Sequence, residues 1–240
     1  TAMFRFIHDL ITLFRLPEVT IDLMRREADG NDPFYLELVE SFHREATAPH
    51  PKLRVVGSLE RGVALCRLPA TAEEYFEMIE PAGRRNVKKA KRLGYVFERI
   101  EYNRRLSDIA EVRRSAQVRQ GPMPEDYLRG PVEQCRNPQS WNPVHDYPYF
   151  GVVKDNRLVA YAGVLVAGEL AMIEHMLGHA QHQADGVVPL LITGIAEVLF
   201  TGYPQVKYYG YGTWFGAGIT LRRFKRKFGF RPCRVRWVLG

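Results

Sequence analysis

The sequence predicts an α/β fold in which a mixed central sheet is flanked by helices and preceded by a mostly helical N-terminal extension. The main observation is the order of apolar patterns after residue 70, which reads strand, helices, a three-strand meander, helix, strand, helix, strand. Composition agrees, because 46% of the 240 residues are hydrophobic and 25% are charged, which excludes a disordered chain. The length fits one large domain or one domain plus an extension.

The first 70 residues form the predicted extension. Apolar residues at 6, 7, 10, 11 and 14, and again at 36, 39 and 42, have helical spacing, and the turn signal at 30–33 separates the two groups. Short apolar runs at 53–56 and 63–68 suggest a small hairpin. We therefore place a boundary between an extension, residues 1–70, and a main domain, residues 71–240.

The first half of the main domain is predicted to be mostly helical. Helices are expected over residues 72–79, 84–94 and 106–118, with a strand over 95–100. The second helix is strongly basic and ends at Gly94, where a glycine C-cap and a positive last turn suit the helix dipole. Residues 121–148 contain Pro, Asn and Trp and are long enough to be a functional loop.

The second half is predicted to hold most of the sheet. Strands are expected over residues 149–153, 157–166, 170–177, 205–211 and 231–239. Residues 154–156 (KDN) predict a hairpin turn between the first two. Helices are expected over 187–200, with Pro189 in the first turn where proline is tolerated, and over 220–228.

Charge is distributed unevenly along the chain. Residues 1–83 hold 9 basic and 14 acidic side chains, whereas residues 84–240 hold 25 basic and 13 acidic ones, a net charge of +12. Such an imbalance indicates an anionic partner, although blocks of like charge are also typical of a merely solvated face.

Other features of the sequence bear on the cellular compartment of the protein. The three cysteines, Cys66, Cys135 and Cys233, are far apart and not in metal-like spacing, which is typical of a reduced, cytoplasmic protein. No apolar run reaches the ~18 residues of a membrane span. Because charged residues interrupt the apolar segment 4–16, we expect no signal peptide.

Three segments resemble the GNAT acyltransferase superfamily. Residues 183–188 (QADGVV), between a strand and a helix, match the first two fixed positions of the GNAT pyrophosphate loop. Residues 224–230 (FKRKFGF) resemble the end of the last GNAT helix and the Gly-Phe before the closing strand. Lys225 in this motif and the basic run 84–90 (RRNVKKA) are similar to Fem-type aminoacyl-tRNA-dependent transferases. Fem proteins carry two GNAT-like halves, whereas one complete half fits here.

The resemblance implies a GNAT-like fold and an acyl-CoA co-substrate, acetyl-CoA or longer, without a metal. In this family, backbone N–H groups at a helix N-terminus hold the cofactor pyrophosphate. The positions that the resemblance assigns to cofactor binding are His182, Gln183, Gly186 and Val187, and we add Arg222 and Arg226 from the last helix.

Acyl transfer to an amine requires a base, a stabilised oxyanion and a proton for the leaving group. Glu174 lies in an apolar strand, where burial would raise its pKa, and is the first candidate for the base, with His175 second. Strand alternation places these two side chains on opposite faces. Lys225 is a candidate for stabilising the oxyanion or a phosphate, and Tyr211 for the general acid. Glu174 at the sheet surface, without a catalytic role, is an equally good interpretation.

The long loop and its borders suit recognition of the acceptor, a small-molecule amine. The candidate residues are Arg119, Gln120, Trp141, His145 and Tyr147. Metal binding by His175, His179 and His182 would require a helix, which Gly178 and the preceding strand pattern disfavour.

Three functions remain open on the sequence. The leading hypothesis is an N-acyltransferase that moves an acyl group from acyl-CoA, or an acyl carrier protein, to a primary amine. The second is a Fem-like transferase with aminoacyl-tRNA as donor. The third, from another class, is a catalytically silent GNAT-like module that binds nucleic acid or an acidic partner.

Overall fold

The computed structural model describes residues 15–28, 30–49, 57–119, 121–215 and 217–240. The apolar pattern at residues 6–14 and the run at 53–56 therefore lie outside the described residues. Within the described part of the chain, no helix is both long enough and apolar enough to cross a membrane.

Nine strands form one mixed sheet. In chain order they are β1 (Glu18–Asp22), β2 (Arg61–Arg67), β3 (Val96–Arg99), β4 (His145–Asp146), β5 (Tyr149–Lys154), β6 (Arg157–Ala167), β7 (Leu170–Gly178), β8 (Tyr208–Thr213) and β9 (Arg231–Val238). Their order across the sheet is β1-β9-β2-β8-β7-β6-β5-β3, and β4 pairs with β6. The pairs β1–β9 and β7–β8 are parallel and the others are antiparallel.

Seven α-helices flank the sheet in the described residues. They are α1 (Pro33–Thr47), α2 (Ala72–Met78), α3 (Pro81–Arg92), α4 (Leu106–Arg114), α5 (Glu125–Arg129), α6 (Val187–Gly202) and α7 (Ile219–Lys227). The mixed α/β fold expected from the sequence is thus confirmed. The segment 121–148, expected to be a loop, contains α5 and β4. Both elements are too short to show a repeat of apolar and polar residues, so the sequence did not predict them.

The described part of the predicted extension is joined to the main sheet. β2 lies between β8 and β9, antiparallel to both, and β1 pairs in parallel with β9. The run at 63–68 therefore pairs with strands from the other end of the chain, more than 140 residues away. The residues around position 63 do not indicate these distant partners, so the sequence did not predict this pairing.

Local signals are found where the sequence predicted them. Asp155 and Asn156 have φ of 49° and 60°, as a two-residue hairpin turn with two left-handed positions requires. Gly94 has φ of 84° directly after α3, and Pro189 lies in the first turn of α6. These features depend on neighbouring residues only, so they can be read without knowledge of the fold.

Each face of the sheet carries its own core. On one face α6 packs with α2 and α3 over Ala162, Val164 and Tyr209. On the other face α1 covers Leu165 and Met172, and a second group of aromatic residues lies beside α4. Tyr208 and Tyr209 belong to opposite faces, as strand alternation predicts.

Candidate active site between two diverging strands

β7 and β8 part in the middle of the sheet. Their parallel pairing covers only Leu170–Met172 of β7 and Tyr208–Gly210 of β8. Beyond Met172, residues 173–178 of β7 continue alongside β6, with Glu174 unpaired, and do not pair with β8. The gap opens into a cleft of about 820 Å³, which falls within the size range of small-molecule sites.

Several elements line this cleft. They are the end of β7, the turn before α6, the beginning of α6, the end of β8, the first turns of α7, the segment after α4 and, through Asn86, α3. The lining side chains include Asn86, Arg119, Met123, Met176, Leu177, Gln183, Val188, Tyr211, Ile219, Leu221 and Phe224. Of the sequence-predicted residues, the cleft therefore brings together Arg119, Gln183 and Tyr211.

The N-terminus of α6 opens at the cleft without a side-chain cap. Gly186 occupies the N-cap position with φ of 88°. A Cβ there would lie 2.4 Å from the carbonyl oxygen of Asn86, so glycine is required for α6 to approach α3. Among the described residues, the backbone N–H groups of Val187 and Val188 have no hydrogen-bond partner. Unpaired N–H groups and the helix dipole make this end suitable for an anion.

Asp185 does not oppose an anion at this helix end. Its carboxylate lies 3.1 Å from Lys89 Nζ and accepts a 2.9 Å hydrogen bond from the Tyr95 hydroxyl. These two contacts lower the pKa of Asp185. The Tyr95 hydroxyl also lies 2.6 Å from His182 Nδ1, so His182 belongs to this network and does not line the cleft.

A β-bulge changes the directions of Glu174 and His175. Gly163 of β6 is opposite His175 and Val164 is opposite Ile173, so Glu174 is the extra residue. Glu174 contacts Tyr147, and a Cβ on Gly163 would point at the same tyrosine. Since residues directly opposite share a face, His175 and Glu174 lie on the same face, and the expected alternation is wrong here.

Glu174 is exposed, so the expectation that it is buried is also wrong. Its carboxylate accepts a 2.6 Å hydrogen bond from the hydroxyl of Tyr147, which is only 8% exposed. Burial, followed by the charge of Glu174, raises the pKa of Tyr147 well above its usual value, so this hydroxyl stays protonated. Glu174 lies two residues before Met176, the first residue of β7 that lines the cleft.

Lys225 is buried, with 2% exposure, and does not contact the cleft. Its Nζ donates to the carbonyl oxygens of Tyr211 at 2.6 Å and Thr213 at 2.7 Å. Burial lowers its pKa from 10.5 to about 8. Both hydrogen bonds hold the end of β8, so the structure gives this amine a structural role, and its contact with an oxyanion or phosphate stays a prediction.

Two other predicted basic residues also have structural partners. Arg222 donates to the carbonyl oxygens of Ala217 and Phe215, and Arg226 lies 3.8 Å from Glu80. Neither lines the cleft. Val187, another predicted cofactor contact, is fully buried in the core and does not line the cleft, whereas its neighbour Val188 does.

The predicted acceptor residues do not form one group. His145 is fully buried, and its Nε2–H donates to the Leu23 carbonyl oxygen at 2.7 Å. Trp141 is 73% exposed and its backbone N–H donates to Asn31. Neither lines the cleft. Gln120 lies outside the described residues.

Arg119 lines the cleft but also has a structural role. Its guanidinium donates to the carbonyl oxygens of Gly178 and Val112 and to Ser115 Oγ. Burial lowers its pKa, and its Nε is buried without a partner among the described residues. It thus joins the end of β7 to the end of α4 at the cleft wall.

The histidines considered for a metal do not form a site. His175 is exposed on the face of Glu174, whereas His179 and His182 have ring centroids 5.2 Å apart beside a smaller cavity of about 280 Å³. Among the described residues, no group of three His, Cys, Asp or Glu side chains is placed to hold a metal ion.

Sequence reasoning missed several cleft residues. Asn86 interrupts the basic run of α3 and faces the cleft, a signal that was present in the sequence. Met176, Ile219 and Leu221 carried no comparable signal, because their apolar side chains fit equally well in a core.

Comparison with known proteins places the fold. No protein-family model and no curated protein matches the sequence. Among solved structures, FemX matches with a TM-score of 0.54 and 8% identity, over 72% of this chain and 59% of that chain. This likeness shows that the chain shares the fold of FemX, in agreement with the fold expected from the sequence.

Two further structures match with lower TM-scores. One is the C-terminal domain (DUF2156) of a candidate lysylphosphatidylglycerol synthetase from Agrobacterium fabrum, with a TM-score of 0.45, 18% identity and coverage of 71% of this chain and 57% of that chain. The other is a tandem GNAT protein from the clavulanic acid biosynthesis pathway, with a TM-score of 0.44, 14% identity and coverage of 72% and 50%. This chain thus spans less than two thirds of each of the three structures.

Proposed function

We propose that this protein is an N-acyltransferase that moves an acyl group from a pantetheine thioester, carried on CoA or an acyl carrier protein, to a primary amine. The observation that carries the proposal is the cleft between β7 and β8, with the uncapped α6 N-terminus opening into it. The N–H group of Val188 at the α6 N-terminus suits the donor phosphates, and the gap between the strands suits the pantetheine arm. The three free cysteines support a cytoplasmic location.

The chemistry assigns separate roles to residues on the two strands. The amine nitrogen attacks the thioester carbonyl carbon, forming the C–N bond, and the C–S bond then breaks. Glu174 is exposed and accepts the amine proton, directly or through water, while its hydrogen bond to Tyr147 fixes the carboxylate. Tyr211 lines the cleft and burial raises its pKa, so its hydroxyl is protonated and donates the proton to the leaving sulfur.

The test is transfer of a labelled acyl group from acyl-CoA to a panel of primary amines. We expect Glu174→Gln to lower kcat/KM by about 10²- to 10⁴-fold, the range of a lost general base. Its thermal midpoint should stay close to that of the wild type, because the side chain is exposed. Glu197→Gln, likewise at an exposed carboxylate, in the second half of α6 and away from β7 and Tyr147, is the matched control.

If no amine is acylated and Glu174→Gln binds donors and partners as the wild type does, the proposal fails. The silent binding module then remains. Transfer that is insensitive to Glu174→Gln would reject the role of this carboxylate.

A second candidate, an aminoacyl-tRNA-dependent transferase, is favoured by the basic surface of α3 and α7. These helices are adjacent, since the Glu80 N–H donates to the Lys227 carbonyl oxygen at 2.9 Å. Among the described residues, six of their basic side chains have no ion pair or hydrogen bond: Arg84, Arg85, Lys88, Arg92, Arg223 and Lys227. Unpaired cations next to a cleft suit a polyanion such as tRNA.

Salt dependence separates this candidate from the first. Binding of tRNA through several phosphates would weaken steeply with salt, with a log–log slope of roughly −0.7 to −0.9 per contact. The double variant Arg85→Glu/Lys88→Glu should make the slope less steep, whereas Arg129→Glu, on α5, should not. If neither variant changes tRNA binding, the basic surface does not serve this donor.

A further inference from the structure

The cleft between β7 and β8 carries apolar side chains from three of the elements that line it. Met176 and Leu177 come from β7, Val188 from α6, and Leu221 and Phe224 from α7, and all five are only partly buried. A folded chain normally buries such side chains against one another. Here they remain accessible around one cavity, so water leaves apolar surface when an apolar ligand enters.

The mouth of the cleft is also apolar. Ile219, in the first turn of α7, is 51% exposed and lines the cleft. Val118 is 68% exposed and pairs with Pro122, which also lines the cleft. Both belong to the small set of large hydrophobic residues that the described chain leaves in contact with solvent. Exposed apolar side chains at or beside a cleft are the kind of surface that marks a binding site.

Among the described side chains that line this cleft there is no carboxylate, and the charged one is Arg119, a cation. Glu174, the proposed base, lies outside this lining. An aminoacyl group carries an ammonium ion, which a lining with a cation and no carboxylate disfavours. A neutral hydrocarbon chain meets no such cost.

We propose that the acyl group transferred by this protein is a hydrophobic chain of medium or greater length, held between Met176, Ile219 and Phe224. This inference rests on the proposed thioester-dependent function and defines its donor. The volume of about 820 Å³ exceeds what an acetyl group requires, and the flexible methionines adapt to a linear chain.

The experiment measures binding of S-acetyl- and S-decanoyl-pantetheine to the full chain by calorimetry, below the micelle concentration. Each methylene that leaves water tightens binding roughly fourfold, so burial of four methylenes gives a preference for the decanoyl ester of about 250-fold. Decanoyl-CoA and decanoyl-pantetheine are then compared, since a CoA donor gains affinity from its phosphates and a carrier-bound donor does not need them.

The variant Ile219→Asp places a charge on the rim of the cleft. It is compatible with folding because the side chain is half exposed and an acidic residue suits the first turn of α7. We expect it to lower the decanoyl preference at least tenfold. Val96→Asp, an equally exposed apolar residue on β3, should keep the preference of the wild type.

A decanoyl preference below about fivefold, with measurable acetyl binding, overturns the hydrophobic donor and leaves the thioester function standing. An equal loss of preference in both variants also overturns it, because the effect is then not local to the cleft. Absence of binding by either ester and by acyl-CoA overturns the proposed function together with this inference.

Discussion

The hydroxyl of Tyr147 donates a 2.6 Å hydrogen bond to the carboxylate of Glu174. Tyr147 is buried directly after β4, and Glu174 is exposed at the bulge of β7. The contact joins residues 27 positions apart and exists because Glu174 is the extra residue of the bulge in β7. Without the bulge, the side chains that follow it would lie on the opposite face.

Replacing Tyr147 tests whether this contact acts in proton transfer. We expect Tyr147→Phe to lower kcat about tenfold with KM little changed, because the lost hydrogen bond no longer fixes the carboxylate that accepts the amine proton. The measurement is the steady-state rate of acyl transfer, with the thermal midpoint recorded alongside. Tyr149→Phe, whose ring centroid lies 5.4 Å from that of Tyr147, is the control. An unchanged kcat in Tyr147→Phe would mean that the hydroxyl only packs.

Lys225 is expected to stabilise the fold. Lys225→Met removes the donor to two buried carbonyl oxygens, so we expect a loss of about 1–3 kcal/mol in the free energy of unfolding, measured by denaturant titration. Its folded pKa of about 8 lies below the usual 10.5, so the unfolded chain binds more protons between these values. Stability of the wild type relative to Lys225→Met should therefore rise from about pH 8 to pH 10.5. Unchanged stability with lost activity would instead restore a catalytic role.

The close approach of α6 to α3 is tested by a pair of glycines. Gly186 and Gly94 have φ of 88° and 84°, but a Cβ on Gly186 would lie 2.4 Å from the Asn86 carbonyl oxygen, whereas one on Gly94 would meet nothing within 4 Å. Gly94→Ala should cost about 1–2 kcal/mol from backbone strain alone. Gly186→Ala should cost more and should also weaken donor binding. Equal costs in the two variants would show that the packing against α3 relaxes freely.

His145 should make the protein sensitive to mild acid. Its Nε2–H donates to the Leu23 carbonyl oxygen and its Nδ1 is buried without a partner, so a proton on Nδ1 finds no acceptor among the described residues. Burial lowers its pKa below 6.5. The unfolded chain therefore binds a proton that the native chain does not, and stability should fall as the pH drops below about 6.5.

His145→Gln keeps an N–H donor and removes the titration. The thermal midpoint of this variant should decline less between pH 7 and pH 5 than that of the wild type. Parallel decline in both proteins would assign the acid sensitivity to other groups.

Much of the fold was predictable because its signals are local. The left-handed pair Asp155 and Asn156 sets the hairpin, Gly94 ends α3, and the order of strand and helix periodicities specifies an α/β fold. In the site, the junction before α6 and the position of Tyr211 followed from the same order. The direction of Lys225 did not, since a basic helix shows no sign of which cation is buried.

The sequence by itself therefore determined most of the helices and strands of the main domain outside 121–148, their α/β order and the uneven distribution of charge, all of which depend on residues close together in the chain. Only the tertiary structure decided that β2 lies between β8 and β9, that a bulge turns Glu174 toward Tyr147, and that an apolar cleft opens where β7 leaves β8. The physical reason is that these features arise from backbone pairing and packing between distant segments. One apolar residue in a sequence is equally suited to a core or to the wall of a cavity, and the surrounding fold selects between them.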